Sequence, residues 1–100
     1  MTLVTDAAES RDAMVAVLQR AGAQVILRDW LSANQIVFAD RDRGATVVDT
    51  GHVTRSAQTL ALVKHALADL PLAQILNTHL HSDHCGGNAA LREYWPAARI

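Results

Sequence analysis

Cysteine, aromatic residues and an excess of one charge are all scarce in this sequence. Its 100 residues include one cysteine, Cys85, which excludes an intrachain disulfide and a cysteine-rich zinc site. Aromatic residues make up only 4%, so the core must be built from small and aliphatic side chains. The formal net charge is −1 and no basic run occurs, so nothing indicates nucleic acid or an anionic membrane as a partner.

Long apolar runs are missing as well. Nowhere do 18 consecutive apolar residues occur, and residues 1–10 lack the charged and apolar regions of a signal peptide. We therefore expect a soluble cytoplasmic protein. Internal repeats and Pro/Gly/Ser linkers are also absent, and a domain usually takes about 100 to 200 residues. Residues 1–100 are accordingly expected to form one continuous unit.

The order of apolar segments predicts an α/β fold. Short β-branched or apolar runs predict four strands, at residues 24–28, 35–39, 45–49 and 73–77. Helix-like spacing predicts an N-terminal helix from Ala7 to Ala21, within residues 1–22, capped by Gly22. A second helix is predicted over residues 54–70, with Thr54 as its N-terminal cap.

Residues 24–100 thus have the order ββ(βαβ)α, with the last helix beginning near Asn88. The segment 45–77 is a strand, a helix and a strand, and this crossover is long enough to make the two strands parallel. Units of this kind collect ligands at the carboxyl ends of their strands. The side chains that follow residue 76 are therefore the first candidates for a functional site.

Three of the five histidines follow the last predicted strand directly. Four metal-binding residue types fall within six positions: His79, His81, Asp83 and His84. On an extended backbone His79 and His81 share a face and can point at one ion, whereas on a helix they would diverge by roughly 200°. Gly86 and Gly87 then permit a tight return into a helix. Imidazole and carboxylate suit Zn²⁺ first, and iron or manganese next.

A simpler interpretation makes the same segment an ordinary loop. Asp83 would then cap the next helix, and the histidines would titrate with ordinary pKa values near about 6.5. Four such residues between an apolar strand and a Gly-Gly pair favour the metal site over this alternative.

The segment 79–84 resembles the His-x-His-x-Asp-His motif of the metallo-β-lactamase superfamily, and residues 47–51 are similar to that family's strand and turn before its first long helix. The resemblance covers residues 24–95. It implies the N-terminal half of an αβ/βα sandwich, which is a mixed β-sheet with external helices. The family's remaining ligands would lie downstream of Ile100, where a strand is just beginning, so the chain is expected to be a partial domain.

The resemblance also implies roles for the residues. His79 and His81 would bind one metal ion, Asp83 and His84 a second, and Asp49 would support the loop by hydrogen bonds. Two zinc ions would hold a hydroxide nucleophile, because metal binding lowers the pKa of water from 15.7 to about 7. Asp83 would orient this nucleophile and carry its proton.

The implied activity is hydrolysis of an ester-like bond in a small molecule: a thioester, lactone, β-lactam or phosphoester. One alternative is an oxidoreductase that resembles the persulfide dioxygenases, which use a single iron, because the same four residues serve both. Another is a non-catalytic half-fold that self-associates through an uncovered sheet. The 100 residues alone are expected to be inactive.

Other reactive or aromatic residues are given structural roles. Cys85 is expected to pack as a small residue, because neighbouring side chains on a turn diverge. His52 is expected in an exposed loop, with the rim of the pocket as the alternative. Trp30 is assigned equally to a pocket wall or to plain packing.

The last group of candidates is also expected to be structural. His65 should lie on the surface of a helix, and Tyr94 and Trp95 should be buried against the core. Thr78 and Ser82 should satisfy backbone groups, because no base is arranged to activate either as a nucleophile.

Overall fold

A computed structural model of the chain describes the backbone of residues 7–20, 22–28 and 32–100. Its elements, in order, are α1 (Ala7–Arg20), β1 (Ala23–Ile26), β2 (Gln35–Asp40), β3 (Gly44–Val48), a 3-10 turn (Val53–Arg55), α2 (Ser56–Leu67), β4 (Leu72–Leu76), α3 (Ser82–Cys85) and α4 (Asn88–Tyr94). The predicted α/β order is confirmed. The start of the chain and Trp30, for which a pocket wall or packing was predicted, lie outside the described residues.

The four strands form one mixed sheet in the order β1-β2-β3-β4. The first three strands are antiparallel, and β4 runs parallel to β3 because α2 carries the chain back between them. The Asp40 carboxylate closes the β2–β3 turn by accepting the backbone N–H groups of Asp42 and Arg43, at 2.9 and 3.2 Å. Beyond β4, a single parallel bridge joins Gln74 to Arg99.

The core lies on one face of this sheet. Alternate residues of β2, β3 and β4 point to it, and helices α2 and α4 cover it. Its fully buried members are Val37, Ala45, Val47, Val63, Ile75 and Leu91. Leu67, Leu72 and Ala98 complete the cluster. The core is aliphatic, as the low aromatic content predicts.

The opposite face of the sheet is only partly covered. By pairing, Ile36, Phe38, Val48 and Leu76 share this face. The side chains of Phe38 and Leu76 are 45% and 46% exposed. We call these four residues the open sheet face.

The ends of the second helix differ from the prediction. Thr54 lies inside the 3-10 turn, whose cap is His52, and α2 itself begins at Ser56. The helix ends at Leu67, because Ala68 takes a positive φ of 54° and its N–H donates to the Lys64 carbonyl. Leu70 still packs against the core from beyond the helix end.

The expectation for Tyr94 is wrong, whereas Trp95 does pack against the core. Tyr94 is 51% exposed and lies under the Lys64 ammonium, whose nitrogen is 4.4 Å from the ring centroid. Within the residues that the structure describes, no helix combines the length and the apolar character needed to cross a membrane.

Candidate metal centre

The predicted ligands all lie on the connection between β4 and α4. We call residues 77–88 the histidine loop; it leaves the sheet at the carboxyl ends of the parallel pair β3 and β4. His81 has an extended backbone, with φ −83° and ψ 152°, and the single turn α3 follows it. The His81 carbonyl accepts the N–H groups of His84 and Cys85, at 2.9 and 3.1 Å. The loop therefore reverses direction directly after His81, at the turn that carries Asp83 and His84.

The three imidazoles of the loop lie close to one another. The ring centroids of His79 and His84 are 4.5 Å apart, with an angle of 45° between the planes. Those of His79 and His81 are 6.0 Å apart and nearly parallel, at 24°. His79 is thus the ring that lies near both of the others.

The Asp83 carboxylate joins this group through His84. Its Oδ2 lies 3.4 Å from His84 Nε2, which is long for a hydrogen bond. Two zinc ligands at about 2.1 Å and a tetrahedral angle are separated by about 3.4 Å. This pair of donors therefore fits one ion in both chemistry and spacing.

A complete site is not formed by these residues. Across residues 7–20, 22–28 and 32–100, no three His, Cys, Asp or Glu side chains are arranged so that one ion could contact all of them. The loop places the four donors close together and brings Asp83 next to His84. That all of them bind metal ions stays a prediction.

Asp49 lies beneath the histidine loop at the end of β3. Its carboxylate accepts the backbone N–H and the hydroxyl of Thr78, both at 2.8 Å, and lies 3.0 Å from His84 Nδ1. The side chain of Thr78 therefore binds this carboxylate, and not the backbone group expected for it. Asp49 also has a positive φ of 66°, a conformation that Asp adopts more readily than most residues.

The surroundings of Asp49 favour the ionised form of its carboxyl group. Only 4% of the residue is exposed. Burial by itself would raise the pKa of the carboxyl, but hydrogen bonds from His84 and Thr78 outweigh burial and hold that pKa below its ordinary value. This carboxylate favours a proton on His84 Nδ1, and in the neutral ring with that proton, Nε2, the atom next to Asp83, carries the free electron pair.

Several residues that hold the loop were not identified from the sequence. Thr50, Asn77 and Asn88 form a hydrogen-bonded group at its base. In addition, the Ala33 N–H donates to the Asp83 carbonyl at 2.9 Å, and the Gly86 N–H donates to the Gly51 carbonyl at 2.8 Å. Asn77 and Asn88 mark the ends of the predicted loop, and this position was the one signal that could have found them.

The remaining candidates have local roles. The Cys85 thiol contacts the His81 carbonyl, with 3.3 Å between sulfur and oxygen. His52 caps the 3-10 turn, because its Nδ1 accepts the Thr54 N–H at 3.2 Å and lies 2.8 Å from the Thr54 hydroxyl. His65 is exposed on α2, as predicted.

Comparison with known proteins extends this description. The model of the Metallo-beta-lactamase superfamily matches residues 28–100, which include the whole histidine loop. A hydroxyacylglutathione hydrolase from Nostoc punctiforme (strain ATCC 29133 / PCC 73102) is 41% identical over 75 residues. The match covers 73% of this chain and 27% of that relative, so the chain spans about a quarter of the length of the curated relative it matches.

Proposed function

Because the chain belongs to the metallo-beta-lactamase superfamily, we propose that the full-length protein is a metal-dependent hydrolase of a small-molecule thioester of the hydroxyacylglutathione kind. We propose further that residues 1–100 are one part of a single larger domain. The share of the curated relative that the chain covers, 27%, supports this division.

The observation that carries the proposal is the grouping of donors on the histidine loop. Three imidazoles lie with centroid separations of 4.5 and 6.0 Å, and a carboxylate oxygen is 3.4 Å from one of them. The group lies at the carboxyl ends of two parallel strands, where α/β proteins place their ligands. An ordinary loop needs no such concentration of donors.

Each donor has a proposed role in the complete site. His79 and His81 would hold one metal ion, and Asp83 with His84 a second, with further ligands from the remainder of the protein. Zn²⁺ suits these donors best, with iron or manganese next. Such ions supply an activated water and polarise the bond that is to be cleaved.

The protein's own groups would prepare this chemistry. Asp49 holds the His84 ring so that Nε2 is the free nitrogen. The Asp83 carboxylate would accept a proton from the attacking water at Oδ1, because Oδ2 is the oxygen next to His84 Nε2, and would return it to the leaving thiolate. Since the Asp83 side chain is 47% exposed, a small substrate can reach it from solvent.

The test is hydrolysis of hydroxyacylglutathione by the full-length protein, followed by release of the free thiol. We expect turnover that is lost in the variant His84→Gln. His65→Gln is the matched control, because it removes an imidazole from the exposed surface of α2 and should keep full activity.

Two results would contradict the proposal. One is an absence of thiol release by the full-length protein loaded with zinc, iron or manganese in turn. The other is iron in the purified protein together with oxygen uptake on a persulfide, which would identify an oxidoreductase.

A further inference from the structure

The two ends of the histidine loop are joined by a pair of side-chain amides. Asn77 follows β4, and Asn88 is the first residue of α4. The Asn88 Nδ2 donates to Asn77 Oδ1 at 2.6 Å, and the Asn77 Nδ2 donates back to Asn88 Oδ1 at 3.1 Å. This reciprocal pair closes the loop at its base.

Thr50 ties the amide pair to the sheet. It is 0% exposed, and its hydroxyl donates to Asn88 Oδ1 at 2.7 Å while accepting the Gly87 N–H at 3.1 Å. Its backbone N–H donates to the His84 carbonyl at 2.8 Å, and Asn77 Nδ2 also reaches that carbonyl, at 3.3 Å. One buried hydroxyl thus connects β3, the loop and the start of α4.

His84 is consequently fixed at two points. Its carbonyl is bound by Thr50 and Asn77, and its ring is bound by Asp49, the residue before Thr50. This network centres on the buried Thr50 hydroxyl, and Asn77 and Asn88 are half-buried. Such a satisfied network favours one arrangement, because removal of the hydroxyl leaves its partners with fewer hydrogen bonds. Among the described residues, no buried side-chain nitrogen or oxygen lacks a partner.

From these contacts we propose that Thr50, Asn77 and Asn88 are positioning residues, which set the spacing of the donors on the histidine loop before a metal ion binds. The inference rests on the proposed function, since it assigns a purpose to the loop that would hold the metal. None of the three is a proposed metal ligand, and they would act through the backbone of His84, whose carbonyl Thr50 and Asn77 bind.

The first experiment measures the Zn²⁺ affinity of the full-length protein by competition with a chromophoric chelator. Thr50→Val keeps the shape of the side chain but removes the hydroxyl, and it should weaken zinc binding about 10- to 100-fold, the usual effect of losing a partner that orients metal ligands. Thr50→Ser restores the hydroxyl and should restore the affinity.

Val63→Ala provides the control for a general loss of stability. Val63 is buried in the core on α2, away from the network. This variant should lower the melting temperature but leave zinc affinity unchanged at temperatures where the protein is folded. Equal affinity losses in Val63→Ala and Thr50→Val, or a failure of Thr50→Ser to restore binding, would overturn the proposal.

The second experiment separates this inference from the proposed function. Amide hydrogen exchange of the metal-free protein should be faster at His84 and Cys85 in Thr50→Val than in the wild type. Both amides donate to the His81 carbonyl and neither bonds to Thr50, so faster exchange there reports a looser loop and not the loss of a direct bond. Unchanged exchange there would overturn the inference. If the wild-type protein binds neither zinc, iron nor manganese, the proposed function fails, and this measurement still decides whether Thr50 shapes the loop.

The amide pair is examined by a double-mutant cycle in the same zinc assay. Asn77→Ala and Asn88→Ala should each weaken binding, and the double variant should lose less than the product of the two single effects, because either substitution already breaks the pair. Independent, multiplicative effects would show that the two amides do not act as a pair.

Discussion

The imidazole of His84 has different surroundings at its two nitrogens. Nδ1 lies 3.0 Å from the buried Asp49 carboxylate, whereas Nε2 lies 3.4 Å from the half-exposed Asp83 carboxylate. The buried acid therefore selects the tautomer, and the exposed acid is the neighbour available for further binding. A substitution at Asp49 should therefore change the tautomer of His84, although Asp49 is not itself a proposed metal ligand.

Asp49→Asn tests this dependence. Asparagine tolerates the positive φ at this position, so the substitution removes charge and leaves the backbone unstrained. Loss of the charged acceptor should lower the free energy of unfolding by about 1 to 3 kcal/mol, measured by urea denaturation. The amide can also donate to Nδ1, which moves the His84 proton to Nε2 and should weaken metal binding.

NMR of the His84 ring nitrogens reads the tautomer directly. In the wild-type protein the proton should be on Nδ1, and in Asp49→Asn it should be on Nε2. The same tautomer in both proteins would contradict the role given to Asp49.

For individual residues, the sequence predicts the candidate metal ligands better than it predicts the residues that hold those ligands in place. His79, His81, Asp83 and His84 are close together in the chain, so their spacing alone suggests a shared site. Thr50 and Asn88 are separated by 38 residues, and an amide or hydroxyl has no fixed partner that its neighbours in sequence reveal. The fold must be known before such a contact can be assigned.

At the scale of elements, the histidine loop depends on close approach of its backbone to the end of β3. A Cβ at Gly87 would overlap the Thr50 carbonyl oxygen, and one at Gly86 would overlap the backbone nitrogen of Val53. The Gly-Gly pair is therefore needed for packing, in addition to the turn that the sequence predicts.

Gly87→Ala is the corresponding prediction. Gly87 has φ −92° and ψ 0°, which alanine can adopt, so any loss of stability comes from overlap with Thr50. We expect the free energy of unfolding to fall by about 1 to 3 kcal/mol in denaturant titrations. A gain in stability, which alanine gives at an uncrowded glycine position, would show that the loop is not packed in this way.

Ala68→Gly should have the opposite effect at the end of α2. Ala68 has φ 54° and ψ −112°, a conformation that favours glycine because a Cβ is crowded there. Relief of this strain should raise the free energy of unfolding by about 1 kcal/mol, after the greater flexibility of glycine in the unfolded chain is counted. A lower melting temperature would contradict the strained conformation.

The strands and their order were predictable because alternating apolar runs and polar turns are local signals. The start of α2 was not, because threonine and histidine near a helix start can both act as caps. His52 reaches the Thr54 N–H and forms the 3-10 turn first, so Thr54 has no role as the helix cap. Helix ends depend on such competition between neighbouring groups.

At the scale of the whole molecule, the two faces of the sheet differ sharply. One face carries the buried aliphatic core, and the open sheet face exposes nearly half of Phe38 and of Leu76. Exposed apolar surface of this kind favours association. Self-association of the 100-residue chain therefore stays a prediction that follows from the structure as well as from the sequence.

Sedimentation velocity of the 100-residue chain at several concentrations tests this self-association. The average mass should rise with concentration, and the double variant Phe38→Glu/Leu76→Glu should remove this rise, because burial of two carboxylates in an interface is unfavourable. A wild-type chain that stays monomeric throughout would contradict the prediction.

The central claim is that the histidine loop gathers its donors around divalent ions, and metal content tests it most directly. The full-length protein, purified without chelators, is analysed by mass spectrometry for bound zinc, iron and manganese, beside the variants His79→Gln and His65→Gln. We predict two ions per wild-type chain, fewer in His79→Gln and an unchanged number in His65→Gln. A wild-type protein that holds none of these metals, or a His79→Gln variant that holds as much as the wild type, would contradict the claim.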